Sequence, residues 1–188
     1  MASIEIHSIQ SVSGNQPRIR RLAEKAAQTW LAGTPVIVDA TGFLIAATSP
    51  LTGGATLSLC GLTKEFGANL ATSGVAQQQT FGSVPNEPSA VNISRPYFND
   101  GLSGVEIAVV DTVFLAQVGP AQVTSQAIVG TQAGLTKDTD NHWYVDLTRN
   151  TPGTNTVCTI VKLDPNDQSA TPRGVYITFL PVVVQLVQ

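Results

Sequence analysis

The fold class is decided by residues 35–45, which run Pro35-Val36-Ile37-Val38-Asp39-Ala40-Thr41-Gly42-Phe43-Leu44-Ile45. Two short runs of β-branched and large apolar residues flank a four-residue segment that ends in glycine. A strand, a brief turn containing glycine and a second strand are typical of a β-hairpin. This stretch therefore predicts antiparallel β-structure.

Similar apolar runs recur along the chain, separated by turn residues. They predict strands at residues 56–62, 122–129, 142–147, 156–163, 175–180 and 182–187, and one long strand or two within 105–118. Residues 130–141 are polar and predict a turn region, and Pro181 indicates an edge or a bend before the last segment. With about eight to ten strands and short turns, the chain is predicted to be all-β, a barrel or a sandwich.

The N-terminal residues 1–32 are predicted to form an arm and one short helix, ahead of a β-barrel body over residues 33–188. Residues 1–16 alternate weakly, which indicates an extended arm or an edge strand. Over residues 17–31, Pro17 suits the first helical position and apolar residues recur at helical spacing. The apolar residues of this predicted amphipathic helix are Ile19, Leu22, Ala23, Ala26 and Trp30.

The predicted helix also carries a basic cluster. Four of the ten basic residues of the chain lie here, namely Arg18, Arg20, Arg21 and Lys25. Two interpretations stay open at this point. The helix either packs on its own domain with solvated basic residues, or it docks on a partner subunit with its basic face against acidic groups.

Residues 63–103 differ from the rest because glycines, prolines and a run of glutamines interrupt any periodic pattern. Long stretches of this kind inside compact domains are usually functional or disordered. We expect a projecting loop or a small insertion here. Its aromatic residues, which are Phe81, Tyr97 and Phe98, would either pack the loop down or contact a neighbour.

Composition indicates surface shared with other subunits. Charged residues make up only 12% of the 188 residues, against about a quarter in typical domains. Uncharged surface on this scale is expected to be covered in part by other chains. The net charge of −3 argues against nucleic-acid binding by the protein as a whole.

The sequence gives little sign of catalysis or of a cofactor. Cys60 and Cys158 lie in apolar runs outside any CxxC motif and are expected to be buried free thiols. His7 and His142 have no partner at metal-ligand spacing. No nucleophile elbow and no phosphate-binding glycine loop occurs. No secretory signal or membrane-spanning segment is recognised, so synthesis in the cytosol without membrane insertion is expected.

Several segments of the body together resemble one protein family. They are Ala32–Asp39 with Gly42–Ala47, Trp143–Asp146, Val157–Leu163 followed by Asp164-Pro165, and Arg173–Leu180. This pattern is similar to the small β-barrel capsid decoration proteins, also called cement proteins, of tailed bacteriophages. The resemblance extends over residues 32–62 and 104–187 and consists of strand and turn patterns without a catalytic signature.

The resemblance implies a structural virion protein that is not an enzyme. Such a protein binds the outside of the assembled capsid, bridges major capsid protein subunits and often forms a homotrimer. The candidate partner-binding residues are Arg18, Arg20, Arg21, Lys25, Trp30, Phe81, Tyr97 and Phe98.

Two alternatives remain. One is a head-fibre, tail or baseplate component that binds host surface glycans through Phe81, Tyr97 and Phe98. The other is a β-barrel hydrolase with two carboxylates brought together from distant positions. Glu106 and Asp111 make a poor pair for it, because their odd separation puts them on opposite faces of a strand.

Overall fold

The computed structural model describes residues 6–11, 18–25, 28–51, 59–64, 67–69, 102–108, 112–168 and 171–184. Thirteen strands lie in this part of the chain. They are β1 (His7–Ser11), β2 (Ile19–Ala23), β3 (Gln28–Trp30), β4 (Pro35–Val38), β5 (Leu44–Ala46), β6 (Leu59–Thr63), β7 (Gly67–Asn69), β8 (Leu102–Ile107), β9 (Thr112–Gln117), β10 (Gln132–Lys137), β11 (Trp143–Asp146), β12 (Cys158–Leu163) and β13 (Gly174–Phe179). Two 3-10 turns cover Gln126–Ile128 and Pro181–Val183.

The strands form two main antiparallel sheets. The first has six strands in the order β1-β9-β13-β12-β10-β11, and the second has five in the order β2-β8-β6-β4-β5. A further pair, β3 with β7, is also antiparallel. The all-β class is therefore confirmed, and the architecture is a β-sandwich or half-barrel of two curled sheets.

The main core lies between the two sheets. Alternate residues of β9, β12 and β13 face inward, because side chains along a strand point to opposite sides in turn. Phe114 of β9 and Phe179 of β13 meet edge to face, with ring centroids 5.2 Å apart. The five-stranded sheet adds Leu59 and Leu62 to the same cluster, so a single core joins both sheets.

A second, smaller core lies on the opposite face of the five-stranded sheet. Its buried members are Trp30, Val36, Leu44, Cys60, Val105 and Ile107. The pairing of Val36 with Ala46 and of Val38 with Leu44 puts these four residues on one face of the β4–β5 hairpin. The sheet is thus apolar on both faces, which explains the near-continuous apolar run over residues 35–38.

The structure confirms several sequence predictions and corrects others. The hairpin at residues 35–45 is present as β4 and β5, and residues 105–118 contain two strands rather than one. The predicted strand at 122–129 is wrong, since this segment is a loop with a 3-10 turn and Val123 is 54% exposed. The predicted turn at 130–141 is also wrong in part, because β10 occupies residues 132–137 and buries Ala133 and Leu135.

The helix predicted for residues 17–31 is wrong. This segment contains β2 and β3 instead, and all five residues of β2 pair in register with β8. The apolar stripe does not stay together, because Ile19 is exposed while Leu22 packs against the second core. Pairing with the free side of β8 has overridden the local helical preference of the segment.

The sequence predicts an extended arm or an edge strand over residues 1–16, and the described residues 7–11 of this segment form an edge strand. β1 pairs with β9 at the rim of the six-stranded sheet, and Ile6 just before it is buried in the main core. β2 joins the other sheet through β8. Of the predicted loop over residues 63–103, the structure describes only the ends, including β7.

Candidate functional site

The basic cluster lies on the outermost strand of the five-stranded sheet. Among the strands that the structure describes, β2 is the outermost of this sheet and pairs with β8, while Glu24 just beyond it bridges to Leu44 of β5. Arg18, Ile19, Arg20 and Arg21 are all exposed there. Charged residues are common on edge strands, where they discourage unwanted strand pairing and are also available to a partner.

Apolar side chains accompany the basic residues on this edge. Ile19 is 55% exposed and Leu102, at the start of β8, is 38% exposed. Leu102 pairs with Ala23, so alternation places Leu102, Arg21 and Ile19 on one face of the sheet. We call the five exposed residues Arg18, Ile19, Arg20, Arg21 and Leu102 the β2 edge surface.

Hydrogen bonds to β8 hold the β2 edge surface in place. The backbone N–H of Ile107 donates to the carbonyl of Arg18 at 2.9 Å. The Arg21 guanidinium Nη2 donates to the carbonyl of Leu102 at 3.2 Å. The surface is therefore presented by a paired strand, and a partner would meet a largely preformed arrangement of residues.

Lys25, the fourth basic residue, is already paired within the protein. Its ammonium Nζ lies 2.7 Å from Oδ2 of Asp39, at the turn of the β4–β5 hairpin. Together with the Thr41 hydroxyl, this ammonium holds the pKa of Asp39 well below its ordinary value. Lys25 therefore connects the end of β2 to the β4–β5 hairpin. Its positive charge is already balanced by the carboxylate of Asp39 within the same chain.

Two buried acids behind this edge are compensated as well. The Ser103 hydroxyl donates to Oε1 of Glu24 at 2.6 Å, and both residues are buried. Lys64 Nζ lies 2.8 Å from Oε1 of Glu106, whose side chain is only 2% exposed. These contacts stabilise the negative charges by hydrogen bonding and pairing, so the two acids act as structural elements of the edge.

Comparison with known proteins gives no family assignment. No family model, no curated protein and no solved structure matches the chain. The function is therefore argued from the sequence pattern and from the geometry of the described residues.

The predicted site residues do not all come together. Arg18, Arg20 and Arg21 lie on the β2 edge surface and Lys25 follows it, whereas Trp30 is 6% exposed and belongs to the second core. Phe81, Tyr97 and Phe98 lie outside the described residues, as does Asp111.

Sequence reasoning missed Ile19 and Leu102 as surface residues. Ile19 was assigned to the buried face of a helix, and Leu102 to the end of a loop. The one available signal was that Ile19-Arg20-Arg21-Leu22 also fits a strand that exposes its first residues.

The structure adds two findings on chemistry. Within the described part of the chain, no group of three or more His, Cys, Asp or Glu side chains could hold a metal ion. Cys60 and Cys158 are free and buried, as predicted, and burial raises the pKa of their thiols to about 11 and about 12. Thiols with such pKa values are poor nucleophiles at neutral pH.

Among the described helical segments, none has the length and apolar character needed to span a bilayer.

Proposed function

We propose that this chain is a structural virion protein that binds the outer surface of an assembled tailed-phage capsid and bridges major capsid protein subunits. The observation that carries the proposal is the β2 edge surface, a sheet edge that exposes Arg21, Ile19 and Leu102 on one face and Arg18 and Arg20 on the other. The segment resemblance over residues 32–62 and 104–187 supplies the class of partner.

The chemistry of the β2 edge surface suits a protein partner. Arginine is enriched at protein interfaces because its planar guanidinium forms paired hydrogen bonds with carboxylates and stacks on other groups. Ile19 and Leu102 add apolar area that is removed from water on binding. The net charge of −3 makes a purely electrostatic association with nucleic acid a weaker explanation for these arginines.

The low charge content supports assembly into a homotrimer on the capsid. Besides the β2 edge surface, Val123 and Val182 are large apolar residues that are exposed in the described part of the chain. Burial of such residues between copies would stabilise a trimer. Three linked binding sites would then raise the overall affinity well above that of one site. Analytical ultracentrifugation of the free chain measures its oligomeric state.

Co-sedimentation with expanded capsid shells tests the proposal. The shells are assembled from the major capsid protein of a tailed bacteriophage. The test variant is Arg18→Ser with Ile19→Ser, which removes one charge and one apolar side chain from the β2 edge surface. A matched control exists on β12, where Val161 and Lys162 are also exposed neighbours. Val161→Ser with Lys162→Ser makes the same chemical change elsewhere.

We expect wild-type chain and the β12 control to sediment with the shells, and the β2 variant to bind about tenfold or more weakly. Raising the salt concentration should weaken wild-type binding, since exposed charges are screened. The proposal fails if wild-type chain does not bind the shells. It also fails if the two double variants bind equally well.

A further inference from the structure

Both tryptophans of the chain line a single cleft that is distinct from the β2 edge surface. The cleft has a volume of about 200 Å³. Trp30 ends β3 and Trp143 begins β11, so the two sides of the cleft come from different sheets. Its remaining lining includes Thr34, Ala46, Lys137 and Asn141.

One side of the cleft is fixed by hydrogen bonds around Thr63. The N–H of Gly33 donates to the Thr63 carbonyl at 2.7 Å, and the N–H of Thr34 donates to its hydroxyl at 3.1 Å. The same hydroxyl donates to the carbonyl of Leu31 at 2.9 Å. This network closes the turn between β3 and β4, which carries Leu31 and Thr34 into the cleft wall.

The other side is fixed by the β10–β11 hairpin. Lys137 pairs directly with Trp143 across the hairpin, and the N–H of Lys137 donates to the Ser49 hydroxyl at 2.9 Å. Within the turn, Oδ1 of Asp138 accepts hydrogen bonds from the N–H groups of Asp140 and His142. Both walls are therefore held by interactions that do not involve a ligand.

The cleft combines an apolar wall with the exposed polar side chains of Lys137 and Asn141. Trp30 and Trp143 are 6% and 5% exposed, and neither buried indole N–H has an acceptor among the residues the structure describes. The ammonium of Lys137 forms no ion pair with any described residue, and Asn141 lies exposed beside it.

We propose that this cleft binds one acidic sugar unit of a polysaccharide. Sugar rings have apolar C–H faces that fit against aromatic walls, and hydroxyl groups that form hydrogen bonds with polar side chains such as the Asn141 amide. A carboxylate on the sugar would pair with Lys137 by a charge-assisted hydrogen bond. The volume accommodates a single sugar ring rather than a nucleotide or a larger cofactor.

Sugar binding here is independent of capsid attachment. The cleft lies between the turn after β3, the end of β5 and the β10–β11 hairpin, and none of its lining residues belongs to the β2 edge surface. Failure of one proposal would therefore leave the other standing, and the variants for each site can be tested in both assays.

Intrinsic tryptophan fluorescence tests the sugar site directly, because Trp30 and Trp143 are the only two tryptophans. The full-length chain is titrated with a hexuronic acid trisaccharide and, separately, with the neutral hexose trisaccharide of the same linkage. The variants are Lys137→Gln, Trp143→Phe and the control Lys162→Gln. Thermal unfolding of each variant establishes that it is folded, and Trp30 remains as the reporter in Trp143→Phe.

We expect a saturable change in emission with the acidic sugar and weaker binding of the neutral one. Lys137→Gln should weaken binding of the acidic sugar about tenfold and abolish the preference, while Lys162→Gln leaves both unchanged. Trp143→Phe should weaken both sugars. The proposal is overturned if neither sugar gives a saturable change, or if Lys137→Gln binds both sugars as wild type does. The Arg18→Ser, Ile19→Ser variant should retain sugar binding, and Lys137→Gln should retain capsid binding.

Discussion

At the scale of single residues, several charged side chains in the described part of the chain interact with other residues of the same chain. Lys25 is paired with Asp39, Lys64 with Glu106, and Arg149 lies 3.4 Å from Asp146. Burial alone would raise the pKa of Asp146, but hydrogen bonds from Thr148, Gln122 and Thr136 outweigh it and lower the pKa. Unlike the buried acids, Arg18, Arg20 and Arg21 are exposed residues on and beside β2.

The Lys25–Asp39 pair predicts a pH dependence of stability. The pKa of Asp39 is depressed below its ordinary 3.8, so its contribution is present above pH 3.8 and is lost as the pH falls below that value. Lys25→Met keeps most of the aliphatic stem and removes the charge. We expect this variant to be less stable than wild type at neutral pH, with the difference shrinking as the pH drops below 3.8.

Urea unfolding at a series of pH values measures this effect. The control is Lys162→Met, whose ammonium lies 5.9 Å from the centre of the Tyr176 ring and has no carboxylate partner among the described residues. Its effect on stability should not change between neutral pH and pH 3. A Lys25→Met difference that stayed constant over the same range would show that the ion pair contributes nothing.

At the scale of elements, β2 demonstrates how pairing decides between helix and strand. Residues 17–31 contain good helix formers at helical spacing, and nothing within the segment excludes a helix. The deciding partner is β8, whose residues 102–107 are far away in sequence and pair with every residue of β2. The residue pattern of one segment contains no information about the backbone hydrogen bonds that a distant strand such as β8 will form with it.

Close strand packing around Gly61 gives a prediction at the same scale. Gly61 lies in β6, between β4 and β8, and an added Cβ would overlap the carbonyl oxygen of Glu106. The obstruction is backbone, so the sheet itself must move. Gly61→Ala is therefore expected to destabilise the protein by at least about 1–3 kcal/mol.

The matched control is Gly130→Ala. Gly130 has a positive φ of 86° but no atom within 4 Å of an added Cβ, so only backbone strain of about 1–2 kcal/mol applies. Chemical denaturation of both variants compares the two effects. Equal or greater stability of Gly61→Ala relative to wild type would contradict the predicted packing of β6 against β8.

At the scale of the whole molecule, the two sheets share one core. Phe114 and Phe179 lie in the six-stranded sheet, yet their cluster includes Leu59 and Leu62 from the other sheet. Phe114→Ala should therefore lower the free energy of unfolding by about 3–5 kcal/mol. Phe43→Ala, at a half-buried position in the β4–β5 turn, serves as the control with a smaller loss.

Two spectroscopic signals test whether the sheets unfold together. Trp30 belongs to the second core and Trp143 to the main core, so tryptophan fluorescence reports on both. Circular dichroism follows the strands of both sheets. We expect the two transitions to coincide in wild type and to shift together in Phe114→Ala. Separate transitions would mean that the cores are energetically independent.

The sequence by itself determined the β-class, the hairpin at residues 35–45 and the two buried free cysteines. These features depend on the local alternation of apolar and polar residues, on turn residues and on apolar neighbours. All of these signals are contained within a few consecutive positions of the sequence. The sequence also located the basic cluster, although it predicted a helix where the structure has the strand β2.

Only the tertiary structure decided that residues 19–23 are an edge strand, that β10 replaces an expected turn, and that Trp30 and Trp143 line one cleft. Each of these depends on contacts between segments far apart in the chain. Such contacts supply backbone hydrogen bonds and burial that no local pattern contains, and here they outweighed the helical preference of the N-terminal segment.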